Sequence, residues 1–300
     1  MLMKEKKLSL KTNKKIAIVY RIHSRDAVKM AKKVSEKLKA KKYDMYTAPE
    51  QKTIAGTKTV VSSNELKDMS LIIVLGGDGT YLRAVRLLRG HPVPILGFNM
   101  GSLGFLTSHP VSEIFEVINQ TLKNDMVLES RSRLHTSVKL KSGKKVSFDA
   151  LNDIVIERGS FSQLISTSVY YNKNYVNDIK ADGLIISTPT GSTAYNLAAG
   201  GPILHPEVKA IVVTAVAPHS LSSRPLIFPD HQALTLKLEK QTSTANLIID
   251  GQKVIELSPE DEVTITRCEK NHLMIRKPNH NFFSLLKEKL KFGDRYATGT

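Results

Sequence analysis

Four stretches of the chain hold residues whose types and spacing could do chemistry. The first is Gly76-Gly77-Asp78-Gly79-Thr80. Three glycines let the backbone approach an anion closely, and first-turn N–H groups of a following helix would point at it. Asp78 would repel phosphate, so its carboxylate is there to cap the helix, hold a metal or accept a proton. The second is Ala150-Leu151-Asn152-Asp153-Ile154-Val155-Ile156. An adjacent amide and carboxylate can hydrogen-bond the vicinal hydroxyls of a sugar, or they can bond their own backbone in a turn or bulge. The third, Asp182-Gly183 running through Ser187-Thr188-Pro189-Thr190-Gly191-Ser192-Thr193-Ala194-Tyr195, is either a polar wall for a ligand or ordinary capping. The fourth, Ala217–Pro225, presents His219 in a loop, as part of a site or as polar surface.

The elements around these stretches suggest how they are positioned. Leu71–Leu75 is an unbroken apolar run ended by glycine, which predicts a strand buried on both faces of a parallel sheet. Leu82, Val85 and Leu88 then recur at helical spacing and predict a helix over 80–89, stopped by Gly90. The glycine turn therefore lies at the carboxyl edge of a strand, where open α/β sheets bind ligands. Upstream, Ile16–Tyr20 reads as a strand. Ser24 caps a helix with an apolar stripe of Ala27, Ala31, Val34 and Leu38. Residues 43–63 show no clear pattern. Val93–Phe98 is a further buried strand, followed by a glycine-bearing loop through Phe105 and a helix at about 111–122.

Near Asp125 the character changes to short strands with turn signals. Arg133–Leu140 and Val146–Glu157 flank a hairpin turn at Lys141–Lys144. Further strands are expected at Gln163–Tyr171, Tyr175–Ile179, Leu184–Ser187, Ile211–Ala217, Ala233–Leu238, Asn246–Ile249 and Val254–Leu257, with Asp250-Gly251 as a two-residue turn. Phe283, Leu286 and Leu290 mark a last helix that would pack back on the first domain. The expected organisation is a flexible basic arm over 1–14, an α/β nucleotide-binding domain over 15–124, a β-rich domain over 125–278 and the returning helix within 279–300.

Composition narrows the function classes. Lys and Arg number 44 against 28 Asp and Glu, a net charge of +16 that favours anionic ligands. Zinc spacing, RNA-binding aromatics and a basic recognition helix are all missing, so nucleic acid is not the expected partner. Neither G-x-G-x-x-G nor G-x-x-x-x-G-K-[ST] occurs, which excludes the usual dinucleotide fingerprint and the P-loop. Cys268 is the single cysteine, so there is no internal disulfide, in keeping with a reducing compartment. No apolar stretch is long enough for a membrane span. A cytoplasmic protein with no membrane partner is expected.

In order along the chain come Gly76–Thr80, Gly101-Ser102-Leu103-Gly104-Phe105-Leu106, Asn152-Asp153, Asp182-Gly183 with Ser187–Tyr195, Gly200-Gly201-Pro202, Ala217–Pro225 and Asp250-Gly251-Gln252. That series closely resembles the NAD kinase family. The glycine turn alone is shared with lipid kinases and phosphofructokinases, and Thr188–Tyr195 is the discriminating stretch. The resemblance implies a Rossmann-like, parallel-sheet α/β N-terminal domain, an all-β C-terminal domain and a nucleotide cleft. It implies transfer of the γ-phosphoryl group of ATP to the 2′-hydroxyl of NAD's adenosine ribose, with magnesium (Mg2+), in a homo-oligomer, dimer or tetramer.

By the same resemblance Asp78 is catalytic, and Gly76, Gly77, Gly79 and Thr80 bind ATP phosphate. Gly79, Asn152, Asp153, Lys180, Asp182, Thr193, Ala194, Tyr195 and His219 bind NAD. Two positions depart from the family pattern: Asp153 stands where Glu is usual, and Ala198 stands where some relatives place a serine. A lipid kinase and a non-enzymatic dinucleotide-binding regulator are the rival readings.

Overall fold

The computed structural model describes residues 7–60, 62–159, 163–240 and 244–291. The first part of the chain alternates strand and helix. β1 (Lys15–Tyr20) leads into α1 (Arg25–Ala40), where the Ser24 side chain accepts from Ala27 N at 3.3 Å. Ala27, Ala31, Val34 and Leu38 form the buried stripe of α1. β2 (Asp44–Thr47) and β3 (Lys58–Thr59) fill the segment that lacks a sequence pattern, being too short for periodicity to register. β4 (Leu71–Leu75) is buried at every residue, as its unbroken apolar run requires. There follow α2 (Asp78–Leu88), β5 (Ile95–Asn99), β6 (His109–Pro110), α3 (Ile114–Leu122) and β7 (Val127–Arg131).

The next part is built almost wholly of strands: β8 (Leu134–Lys139), β9 (Lys145–Ala150), β10 (Asp153–Arg158), β11 (Ile165–Tyr171), β12 (Asn174–Ala181) and β13 (Gly183–Ser187). After the single helical turn α4 (Tyr195–Ala198) come β14 (Ala210–Val216), β15 (Leu226–Pro229), β16 (Leu234–Leu238), β17 (Ala245–Ile249), β18 (Gln252–Leu257) and β19 (Glu262–Arg267). β20 (His272–Arg276) and α5 (Phe282–Leu290) close the described chain.

Two units result, one running through Ser130 and taking up the chain again from Leu273, the other spanning Arg131–His272. In the first, the sheet order is β3-β2-β1-β4-β5-β20-β7, with β6 beside β5. The ladders β1–β2, β1–β4, β4–β5 and β5–β20 are parallel. In the second unit two six-stranded antiparallel sheets, β15-β14-β13-β10-β17-β18 and β12-β11-β16-β19-β8-β9, enclose one core. Alternation places Leu134 and Val138 of β8, and Leu234, Leu236 and Leu238 of β16, in that core.

Several expectations need correcting. From Lys7 on, the expected flexible arm is pinned: Lys7 bridges Val127, Leu8 is buried with its N–H on Met126 O at 3.0 Å, and Leu10 N donates to Asn124 Oδ1. Leu8 and Leu10, set among lysines, supply apolar surface that the first core buries. Residues 1–6 lie outside the described residues, as do 292–300 of the terminal segment. β7 and β20 belong to the first sheet, so the chain returns to it as a strand before it does so as a helix. In α5 the buried residues are Leu285 and Leu286, while Phe283 is exposed. The single strand expected over Val146–Glu157 breaks at Leu151-Asn152 into β9 and β10.

Candidate active site

The glycine turn sits between β4 and α2, and the helix begins at Asp78, two residues earlier than the sequence suggests. Gly77 is the cap residue, and Thr80 N and Tyr81 N donate to its carbonyl at 2.9 and 3.1 Å. Gly76 is buried, with its N–H on Phe98 O at 3.0 Å, and a Cβ there would overlap the Thr80 side chain. Gly77 and Gly79 are exposed with open space where a Cβ would point, so these two glycines, rather than Gly76, present accessible backbone.

Asp78 does not cap its helix. Its carboxylate turns to the loop after β5. Oδ2 accepts from Phe105 N at 2.9 Å, and Oδ1 accepts from Leu106 N at 3.1 Å, Thr107 N at 3.0 Å and Thr107 Oγ1 at 2.9 Å. A carboxylate offers about four acceptor positions, two on each oxygen. Three donors therefore crowd Oδ1, while Oδ2 meets one donor among the described residues and keeps its second lone pair open. Gly104 makes the arrangement possible, because a Cβ there would overlap Asp78 Oδ1 and lie 2.5 Å from Thr107 Oγ1. Asn99 Nδ2 donates to Thr107 O at 3.3 Å, and His109 Nε2 sits 3.3 Å from Ile275 O. Burial, aided by the Arg276 charge, holds His109 down at about 3, so it stays neutral and donates to that carbonyl.

In the second unit the break at Leu151-Asn152 is held by Asp250. Its carboxylate accepts from Leu151 N at 2.9 Å, Asn152 N at 2.7 Å and Asp153 N at 3.2 Å. Asp250 and Gly251 sit at φ 47° and 76°, the pair of positive values that a primed two-residue hairpin requires. The amide and carboxylate pair is thus not inside a strand but at a fixed bend. Asn152 Oδ1 is buried with no hydrogen-bond partner among the described residues. Asp153, the first residue of β10, is buried too, and burial together with the Asp250 charge pushes its carboxyl up to about 7.

The hydroxyl-rich loop divides between the two roles its sequence allows. Thr188 Oγ1 donates to Leu151 O at 2.6 Å and accepts from Gly191 N, and Ser192 Oγ donates to Pro189 O at 2.7 Å, so these side chains fix the loop. Thr190 Oγ1 is buried and has no partner among the described residues, close in sequence to Gly191, where a Cβ would overlap the Asn152 carbonyl. Two orphaned polar atoms therefore lie on adjoining segments, a costly arrangement for a fold alone. Thr193 bonds back to Thr190 O at 3.4 Å, Ala194 is half-buried and Tyr195 is exposed. Asn196 is buried and saturated by Ser192 O, Pro202 O and Thr214 Oγ1.

Asp182 and Tyr195 line one cavity of about 360 Å³ in the second unit, with Arg158, Glu157 and Asn246 on its wall. Arg158 pairs with Asp182 at 2.9 Å, a partner that nothing in the local sequence signals. Lys180 and His219 are both exposed, joined by His219 N donating to Lys180 O at 2.9 Å. Ala198 is exposed at the end of α4. Cys268 takes no part: burial, then the Asp149 charge, pushes its thiol to about 12. Among the described residues no three His, Cys, Asp or Glu side chains converge as a metal-binding set.

The chain is similar to known proteins in both of its parts. The ATP-NAD kinase N-terminal domain family matches residues 16–126, and the ATP-NAD kinase C-terminal domain family matches residues 151–277. The NAD kinase of Bdellovibrio bacteriovorus is 55% identical over 97% of this chain and 96% of its own length. That of Geotalea daltonii is 35% identical over 94% of this chain and 100% of its own. In fold, the chain resembles yeast NADH kinase complexed with NADH, with a TM-score of 0.87 and 24% identity over 99% and 97% of the two chains. It also resembles an Archaeoglobus fulgidus NAD kinase in complex with ATP, with a TM-score of 0.72 and 24% identity over 91% and 99%. Matched in both domains and similar to these relatives along nearly its whole length, the chain belongs to the NAD kinase family.

Proposed function

We propose that the chain is an ATP-dependent NAD kinase in which Asp78 takes the proton from the acceptor hydroxyl. The γ-phosphoryl group of ATP passes to the 2′-hydroxyl of the adenosine ribose of NAD. The new bond joins the ribose oxygen to phosphorus, the β–γ bridging bond breaks, and the products are NADP and ADP. The carrying observation is the Asp78 carboxylate, fixed by four hydrogen bonds at the carboxyl edge of β4 with a lone pair open on Oδ2. Phosphoryl transfer depends on positioning and charge more than on covalent help. A fixed base removes the hydroxyl proton as the P–O bond forms.

The remaining roles follow the chemistry of each group. Gly77 and Gly79 offer open backbone to phosphate, with Gly76 and Thr80 packed beneath to hold the turn. The unpaired Oδ1 of Asn152 accepts from a ribose hydroxyl, and Asp153 beside it does the same when ionised. Asp182, Thr193, Ala194 and Tyr195 wall the dinucleotide, and Lys180 and His219 lie on its exposed side. Magnesium fits as the counter-ion of ATP rather than as a resident metal. No carboxylate set stands ready for it among the described residues, and this ion is commonly held by substrate phosphates and water.

The same reading gives a homo-oligomer, dimer or tetramer, in which exposed apolar residues such as Leu221 and Ile227 are covered, and a cytoplasmic location. Among the described residues no helix is long and apolar enough to cross a membrane. Incubating the protein with NAD and Mg·ATP tests the function. Equal amounts of NADP and ADP are expected, with the new phosphate on the ribose 2′-oxygen by phosphorus NMR. Phosphorylation of a sphingoid base or diacylglycerol instead would support a lipid kinase. NAD binding without ATP consumption would support a regulator.

A further inference from the structure

Arg276, the last residue of β20, is 1% exposed and reaches the loop that holds Asp78 from the opposite side. Its Nη2 donates to Phe105 O at 2.7 Å and its Nη1 to Leu106 O at 3.3 Å, and Nη1 also bonds Ser108 Oγ. Glu129 of β7 pairs with its Nε at 3.5 Å. The carbonyl of Phe105 and the N–H of Leu106 belong to one peptide group, as do the carbonyl of Leu106 and the N–H of Thr107. In a trans peptide the C=O and N–H point in opposite directions. Both peptide groups therefore run from guanidinium to carboxylate: Arg276 holds the oxygen end, and Asp78 Oδ1 accepts from the hydrogen end.

We propose that Arg276 is a positioning residue for the phosphoryl-transfer reaction, acting on the Asp78 carboxylate through the Phe105–Thr107 peptides. The inference rests on the reading of Asp78 as the base. Hydrogen bonds in such a chain polarise one another, so a cation on the carbonyl side strengthens the N–H donors on the carboxylate side. The planar fork of arginine spans two successive carbonyls, which the point charge of lysine cannot do. Arg276 touches no reacting atom. It sets where Asp78 Oδ1 is tethered, and hence where the open lone pair of Oδ2 points. No local sequence feature signals this, because Arg276 lies 170 residues from Leu106 along the chain.

The test compares Arg276→Met, Arg276→Lys, Asp78→Asn and the double variant Asp78→Asn with Arg276→Met. Each is assayed for NADP formation well below its own melting temperature. Val34→Ala, a cavity in the α1 stripe, serves as a stability control whose kcat stays at the wild-type value. A displacement of about 1 Å in a catalytic group costs on the order of 10²-fold. Arg276→Met is therefore expected to lower kcat by about 10- to 100-fold with KM for NAD and ATP within about twofold, and Arg276→Lys to lie between it and wild type. The double variant is expected to be no slower than Asp78→Asn alone, because both substitutions remove one function. Unchanged kcat in both Arg276 variants, or losses that multiply in the double variant, would overturn the proposal while leaving Asp78 as base. Near-normal turnover in Asp78→Asn would instead remove the base itself, and this inference with it.

Discussion

Asp153 gives the chain a pH-dependent weak point, and Asp153→Asn exposes it. Burial and the Asp250 charge raise the carboxyl from an ordinary 3.8 to about 7 in the folded state. Between about pH 4 and pH 7 the folded chain thus holds a proton there that the unfolded chain has released. Stability from this site falls as pH rises across that window and levels off above it. Each pH unit across the window costs about 1.36 kcal/mol, so the full penalty at pH 8 is about 4 kcal/mol. Asparagine has nearly the same shape and no charge to bury, so it escapes the penalty. Denaturant unfolding of both proteins at pH 5, 6, 7 and 8 reads the effect. The variant should gain on wild type as pH rises, by about 3 kcal/mol between pH 5 and 8, with most of that gain reached by pH 7. A stability difference that does not change with pH would refute the argument that a charge is buried at this bend.

Gly104→Ala should drive the Asp78 carboxylate off its donors, since the new methyl would overlap Oδ1, lowering kcat by about 10²-fold and stability by about 1–3 kcal/mol; steady-state kinetics and thermal melts read both. Asn152→Ala should leave the free protein almost as stable, because Oδ1 has no partner to lose, yet raise KM for NAD by about 2- to 13-fold, the equivalent of about 0.5–1.5 kcal/mol, with KM for ATP unchanged. In α5, Leu286→Ala should cost about 2–5 kcal/mol in denaturant unfolding, whereas Phe283→Ala on the exposed face should stay within about 0.5 kcal/mol.

The sequence made legible whatever depends on local pattern. An unbroken apolar run ended by glycine located β4 and the Asp78 turn, and short strand-length runs set off by turn signals located most strands of the second unit. Asp250-Gly251 carried its turn type in its residue types. What stayed hidden depends on contacts between distant segments. Asp78 reads locally as a helix cap, but its donors come from 27 to 29 residues away. Asp250 reads as a turn residue, but it holds a backbone 97 to 99 residues upstream. β19 has only Val263 and Ile265 to mark it, and β15 is half-exposed, so neither pattern rises above that of a loop. Leu285 displaced Phe283 from the buried face of α5 because a nine-residue helix leaves more than one apolar stripe to choose from.

The most direct test of the account is kcat for NADP formation by Asp78→Asn, measured together with NAD binding and the melting temperature. The amide oxygen can keep the three donors on Oδ1, while its NH₂ faces Phe105 N, a donor set against a donor. That mismatch costs about 1–3 kcal/mol, so the variant should remain folded at the assay temperature and still bind NAD. An amide nitrogen cannot take the 2′-hydroxyl proton, and general-base catalysis is worth about 10²–10⁴-fold, so kcat should fall by at least the lower figure. A folded, NAD-binding Asp78→Asn protein that turns over within a few-fold of wild type would contradict the account.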